Sequence, residues 1–413
     1  MKKLAFLSVV CFTLAAFSAR ASEARSGALL YNLAFEDQTD IFIFPNLLPA
    51  YQGLYFYLPS TNNNMYGGMI YNLGPDSALG VFVHRPLNNA FDQYRMSPTD
   101  VPQEMGFFFD TANPLQQHLP GQIVDLMYGT GKWGAALRFH LWSEVSEQEP
   151  PLADPAESNT AISTELDVGF NLFDGLNLLG SVGFRNLTDN STNLLFKAGG
   201  RYISPDKKRL RPVVATELQF GLSIPENGDS SFAFMLPLLA GGRLAAIEEV
   251  MYIGMLGGLE IQMYVPGGGD TQFALVAPTL QASVEWQALK WLLVRAGLKG
   301  AYGVLFAGDT NDNMPKHEQM SFSSGVGIPL GPFTIDGIIS YSLWNNGPYL
   351  IGGLPGLFAG VSLSYNWGGD SGVSTPAPSH PKTAPAVVPE SKPAEEKAPA
   401  TSTEEKKPEF EGW

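Results

Sequence analysis

His140 and Ser143 stand three residues apart, close enough in sequence for a base and a nucleophile. The local pattern repeats every two residues, which points His140 inward and leaves Ser143 at a loop, and no triad-like set accompanies them. Asp309-Thr310-Asn311-Asp312-Asn313 begins like a calcium-binding loop. Met314 occupies the sixth position, where that loop needs glycine, and Met320 the twelfth, where it needs glutamate. A solvated outer loop is the better reading. Pro266-Gly267-Gly268-Gly269-Asp270 has the composition of a phosphate cradle, but no helical pattern follows, and the opening Pro-Gly pair marks a hairpin loop. Cys11 is the one cysteine and lies in the N-terminal apolar run, which excludes a disulfide framework and cysteine catalysis. The chain is therefore not expected to be an enzyme, nor to hold a metal or a cofactor.

Charged side chains spaced along alternating segments are what remains. Arg138, Arg185, Lys197, Arg201, Arg295 and Lys299 fall on the polar face of their segments, together with His140. Glu165, Asp167, Glu217, Glu260, Glu285 and Asp336 fall there too. Six cations against six anions suit the lining of a lumen, either tuning passage or bracing the interior with ion pairs. Balanced charge argues against a strongly ion-selective pore.

The elements that must carry these residues are strands. In 132–142, Trp133, Ala135, Leu137, Phe139 and Leu141 share one face, with Gly134, Ala136, Arg138 and His140 on the other. The segments 162–171, 279–286, 292–299 and 357–367 alternate in the same way. Many run for about ten residues, enough to cross a bilayer when tilted, whereas soluble strands average about five or six. Tight turns are expected at Gly129-Thr130-Gly131, Asp174-Gly175, Ser204 to Lys208, Ala288-Leu289 and Gly331-Pro332, with a further one near Gly241-Gly242. Longer polar connectors fall at 85–120, 143–159, 188–192, 225–231, 266–271, 306–318 and 345–356. Alternation of short turns and long loops is the asymmetry of an outer-membrane barrel. Trp133, Tyr202, Trp286, Tyr302, Tyr341 and Trp367 sit on the apolar face near strand ends, as an interfacial girdle requires.

The expected fold is all-β: a transmembrane antiparallel up-and-down β-barrel of sixteen strands over 51–367. The flanking segments differ. Lys2 and Lys3, an apolar run from Leu4 to Phe17 and Ala19-Arg20-Ala21 read as a signal peptide over 1–21, with the mature chain beginning at Ser22. Residues 368–413 are rich in Pro, Ala, Glu and Lys and read as a disordered tail. An even strand count puts both termini on the turn side, the periplasm of a bacterial outer membrane. With a formal charge of −15 and a pI near 4.8, nucleic acid is excluded as a general partner. The expected partners are outer-membrane lipid and a periplasmic protein or the cell wall bound through the tail.

Residues Leu29 to Pro49 (LLYNLAFEDQTDIFIFPNLLP) resemble the segment preceding the first strand in the long-chain fatty-acid transporter family and related secretion-associated barrels. That segment leads to an Asn-Pro pair in the family; here the order is Pro45-Asn46. The runs Phe322 to Gly327, Ile335 to Ile338 and Phe358 to Trp367 are similar to that group as well. The resemblance implies a barrel of about 14 strands with an N-terminal hatch, here 22–50, and assigns no binding residue. Two functions follow as expectations: a channel or transporter for small or hydrophobic solutes with the N-terminal hatch as its candidate gate, or a structural barrel that anchors a periplasmic or surface machinery through its tail.

Overall fold

The structure, a computed structural model, describes residues 22–59, 65–85, 122–145, 158–186, 192–205, 209–226, 228–268, 271–307, 316–339 and 358–367. Sixteen antiparallel strands run in chain order: β1 (Gly53–Pro59), β2 (Tyr66–Gly74), β3 (Ser77–Val83), β4 (Gln122–Gly129), β5 (Trp133–Val145), β6 (Ser158–Phe173), β7 (Leu176–Asn186), β8 (Thr192–Ile203), β9 (Leu210–Ile224), β10 (Ser231–Ile247), β11 (Met251–Val265), β12 (Gln272–Leu289), β13 (Leu292–Ala307), β14 (Lys316–Leu330), β15 (Phe333–Ile339) and β16 (Phe358–Tyr365). Each pairs with its sequence neighbours. β1 then pairs with β16, Leu54 opposite Tyr365 through Pro59 opposite Gly360, and closes the barrel. Closure leaves no free edge strand in the barrel, so the ladder runs from strand to strand around the whole wall. Sixteen strands correct the 14 that the family resemblance implies.

The two-residue alternation sets the wall. In β5, Trp133, Phe139 and Leu141 are exposed on the outside, while Gly134, Ala136, Arg138 and His140 are buried on the inside. β6 repeats this, with Ile162, Leu166 and Phe170 outside and Ser163, Glu165 and Asp167 inside. A one-residue slip would turn every one of these charges outward, so the register is tightly specified.

Gly131, Gly175 and Gly331 take the positive φ of the tight turns after β4, β6 and β14. Two turn positions differ from expectation. The turn after β12 falls at Lys290-Trp291, two residues beyond Ala288-Leu289. Gly241-Gly242 is not a turn: both residues lie inside β10, opposite Leu256 and Met255 of β11. The turn is made at 248–250 by Glu249, a non-glycine residue with φ 59°. Gly241 is there for space, since a Cβ would lie 2.0 Å from the carbonyl oxygen of Met255.

Residues 22–50 lie against the inner wall. Helix α1 (Glu23–Ala28) is capped by Ser22, whose Oγ accepts from the Arg25 amide. Two 3₁₀ turns follow, Gln38–Phe42 and Pro45–Ala50. The first is closed by a capping box between Asp37 and Asp40, which satisfies its leading amides without help from the wall.

Candidate functional site

The inner segment meets the wall through two apolar clusters. In one, Leu33, Ala34, Ile43 and Phe44 are buried with Leu179, Ile203, Val213, Ala215, Leu239 and Leu256. In the other, Ile41, Phe42 and Leu48 are buried with Tyr55, Tyr66, Ile70, Phe82, Met127 and Ala136. Full burial of a Leu, Ile or Phe side chain contributes about 1.5–3 kcal/mol, so residues 33–48 are held chiefly by apolar packing. Phe42 also carries the Arg85 guanidinium over its ring, 4.0 Å from the centroid.

Three aligned glycines receive the second 3₁₀ turn. Gly129, Gly134 and Gly169 are cross-strand partners on β4, β5 and β6. A Cβ on Gly134 would lie 2.4 Å from the Pro45 carbonyl carbon, and one on Gly129 2.4 Å from the Pro45 oxygen. Without side chains there, backbone meets backbone closely. The Gly131 backbone amide donates to the Asn46 backbone carbonyl at 3.0 Å, and the Asn46 side-chain Nδ2 donates to Asn177 Oδ1 at 2.9 Å.

Charges on the segment face opposite charges on the wall. Arg201 donates to both oxygens of Asp40, at 2.8 and 2.6 Å. Arg211 and Arg243 approach Glu36 at 3.1 and 3.9 Å. Arg25 forks onto Glu285 at 2.7 and 3.0 Å, and Ser22 Oγ donates to Asp336 at 2.6 Å. Arg295 bridges Glu285 and Asp336 from the wall side. Bidentate pairs of this kind are the strong, geometrically specific ones. Burial, and then the neighbouring Asp40, raise the carboxyl of Asp37 above its usual range despite Arg25, Ser26 and Thr39. Glu23 is also raised, first by burial; Tyr31 and Tyr66 donate to its two oxygens at 2.6 and 3.0 Å.

A second network runs along the wall and meets the inner segment where Arg85 lies over Phe42. Arg138 donates to Asp125 at 2.8 Å and to Glu165 at 3.1 Å; Arg85 donates to Asp125 at 2.6 Å and Lys197 to Glu165 at 3.0 Å. Asp167 lies 4.0 Å from Arg138. Farther round, Gln219 donates to Glu217 and Gln262 to Glu260, and Lys299 faces Glu260 electrostatically.

Among the residues named from sequence, Arg138, His140, Glu165, Asp167, Lys197, Arg201, Glu217, Glu260, Arg295, Lys299 and Asp336 are buried on the inner face, and Glu285 is largely buried there. The side chain of Arg185 lies outside the description. Trp133 and Trp286 are 45% exposed on the outside near the tight-turn end, whereas Tyr202, Tyr302 and Trp367 are half-buried. Tyr341, the 309–313 loop, residues 1–21 and the tail lie outside the described residues.

Sequence reasoning missed Arg85, Asp125, Arg211 and Arg243 on the wall, and Arg25, Glu36, Asp37 and Asp40 on the segment. Arg211 shares the parity of Glu217 on one strand, a signal that was available. Arg243 was hidden by the turn expected at Gly241-Gly242.

No family model and no curated protein matches the chain. A solved structure described as "Bacterial polysaccharide outer membrane secretin" is similar to it at 9% identity and a TM-score of 0.34, covering 76% of this chain and 97% of that one. The closed barrel rests on this chain's own strand pairing.

Proposed function

We propose that the chain is a bacterial outer-membrane β-barrel acting as a channel or transporter for small or hydrophobic solutes, with residues 22–50 as its plug. The observation that carries this reading is the burial of that segment against the inner wall through matched charges and two apolar clusters. An outward face bearing exposed Leu, Phe, Met and Trp around the wall supports a lipid environment, and an inner face of paired charges supports a polar lumen. Both termini then face the periplasm, and the barrel does no chemistry of its own. The test is flux of small neutral solutes into liposomes. Deleting 22–50 should raise it well above that of the intact protein, and deleting 368–413 should leave it unchanged. Equal flux with and without 22–50 overturns the reading.

A second reading is favoured by the wall's own network from Asp125 through Arg138 and Glu165 to Lys197, which braces the lumen with pairs that do not include the plug. In it the barrel is an anchor, and residues 368–413 hold a periplasmic or surface partner. A barrel that stays closed after plug deletion, with a partner lost on tail deletion, supports it.

A further inference from the structure

We propose that removal of the leader at the Ala21–Ser22 bond creates an internal ligand, the α-ammonium of Ser22, which Asp336 on β15 receives. The inference rests on the reading that 22–50 is docked in the barrel. The leader's Ala19-Arg20-Ala21 ending makes Ser22 the first residue of the mature chain. A leader-removing protease adds water across that peptide bond: the hydroxyl goes to the Ala21 carbonyl carbon, a hydrogen to the Ser22 nitrogen, and the freed amine takes up a proton.

Ser22 is not at the surface. In the uncut chain it is 4% exposed, and its partner Asp336 on the wall is fully buried. Ser22 Oγ is 2.6 Å from Asp336 Oδ2. The nitrogen and Oγ of one serine are about 3 Å apart, so an ammonium there falls within about 6 Å of the carboxylate, a range in which opposite charges favour each other. Arg295 Nη1 takes Oδ1 at 2.6 Å, while Oδ2 has lone-pair capacity for a second donor beside the Ser22 hydroxyl. Around this point Arg25 and Arg295 balance Glu285 and Asp336. The positive end of α1 opposes the ammonium, but α1 has only six residues and a weak dipole.

The effect is read on α1, whose contacts with the wall mix polar bonds with the buried side chains of Ala24 and Ala28. Between Ser22 and Leu30 no residue belongs to either apolar cluster. Its polar contacts with the wall are Ser22 to Asp336, the Ala24 amide to Ser362 Oγ at 2.9 Å, Arg25 to Glu285 and Tyr66 to Glu23. Leu30 and Tyr31, with φ of 54° and 52°, then break α1 from the apolar-packed part of the segment. Processing thus tightens the docking of α1 and leaves residues 33–48 as they were.

The mature protein, purified from membranes into detergent and its first residue identified by sequencing, is compared with a form carrying two glycines inserted between Ala21 and Ser22. The insertion keeps an ammonium but moves it away. Amide hydrogen exchange over 23–29 should quicken about tenfold in the inserted form, the scale of one charge-assisted contact. In the Asp336→Asn background the insertion should change nothing further. Equal exchange with and without the insertion overturns the proposal, as does a first residue other than Ser22, or an insertion effect that persists in Asp336→Asn. If Asp336→Asn does not fold, the insertion in the native barrel decides alone. Free exchange over the whole of 23–48 in the native protein overturns the docking reading itself, and this proposal with it.

Discussion

Arg201 on β8 shows how a single inward side chain couples wall to segment. Its guanidinium is buried and committed to both oxygens of Asp40. Removing one partner of a buried pair leaves the other charge uncompensated, which costs about 3–5 kcal/mol. Arg201→Ala should therefore lower the stability of the folded barrel in detergent by about that amount, read from denaturant midpoints. Adding Asp40→Asn to Arg201→Ala should recover most of the loss. A double variant as unstable as the single one would mean that the pair is incidental. Half of this interaction was legible in the sequence. Arg201 sits on an alternating strand, where parity assigns it a face. Asp40 sits in a segment without period, where no face can be read and only a folded wall supplies its partner. The same division runs through the site: Arg138, Glu165 and Asp336 were readable by parity, whereas Arg25, Glu36 and Asp37 were not.

At the scale of elements, strands β4 to β6 are shaped for the second 3₁₀ turn. The glycines at 129, 134 and 169 face inward at one level of the barrel, and the Pro45-Asn46 backbone lies on them. Gly134→Val puts methyl groups where the Pro45 carbonyl stands. The wall can keep its ladder, since valine suits a strand, so the change should fall on the segment: protease cleavage within 38–50 should rise while the barrel still forms. Unchanged protection would show that the turn does not use this surface. The β10–β11 turn teaches the opposite lesson about glycine. The Gly241-Gly242 pair has the composition of a turn, yet the ladder runs through it and the chain reverses at Glu249. Composition alone cannot distinguish a glycine that bends the chain from one that lets a neighbour approach.

The described residues form a closed wall with an apolar outside, a charged inside and a segment lying against that inside. Strand number and facing were legible because a closed wall with an apolar outer face and a polar inner face must alternate throughout. How the inside is filled was not, because packing between an irregular segment and a barrel leaves no period. The most direct measurement uses single cysteines, since a chain cleaved after Ala21 contains none of its own. Ala135 faces out on β5. Ala136 faces in, 3% exposed, beside Ile41, Phe42 and Leu48. With the protein in liposomes, a water-soluble maleimide should leave Ala135→Cys unlabelled. It should label Ala136→Cys only after residues 22–50 are deleted. Equal labelling of Ala136→Cys with the segment in place, or ready labelling of Ala135→Cys, would contradict a membrane barrel filled by its own N-terminal segment.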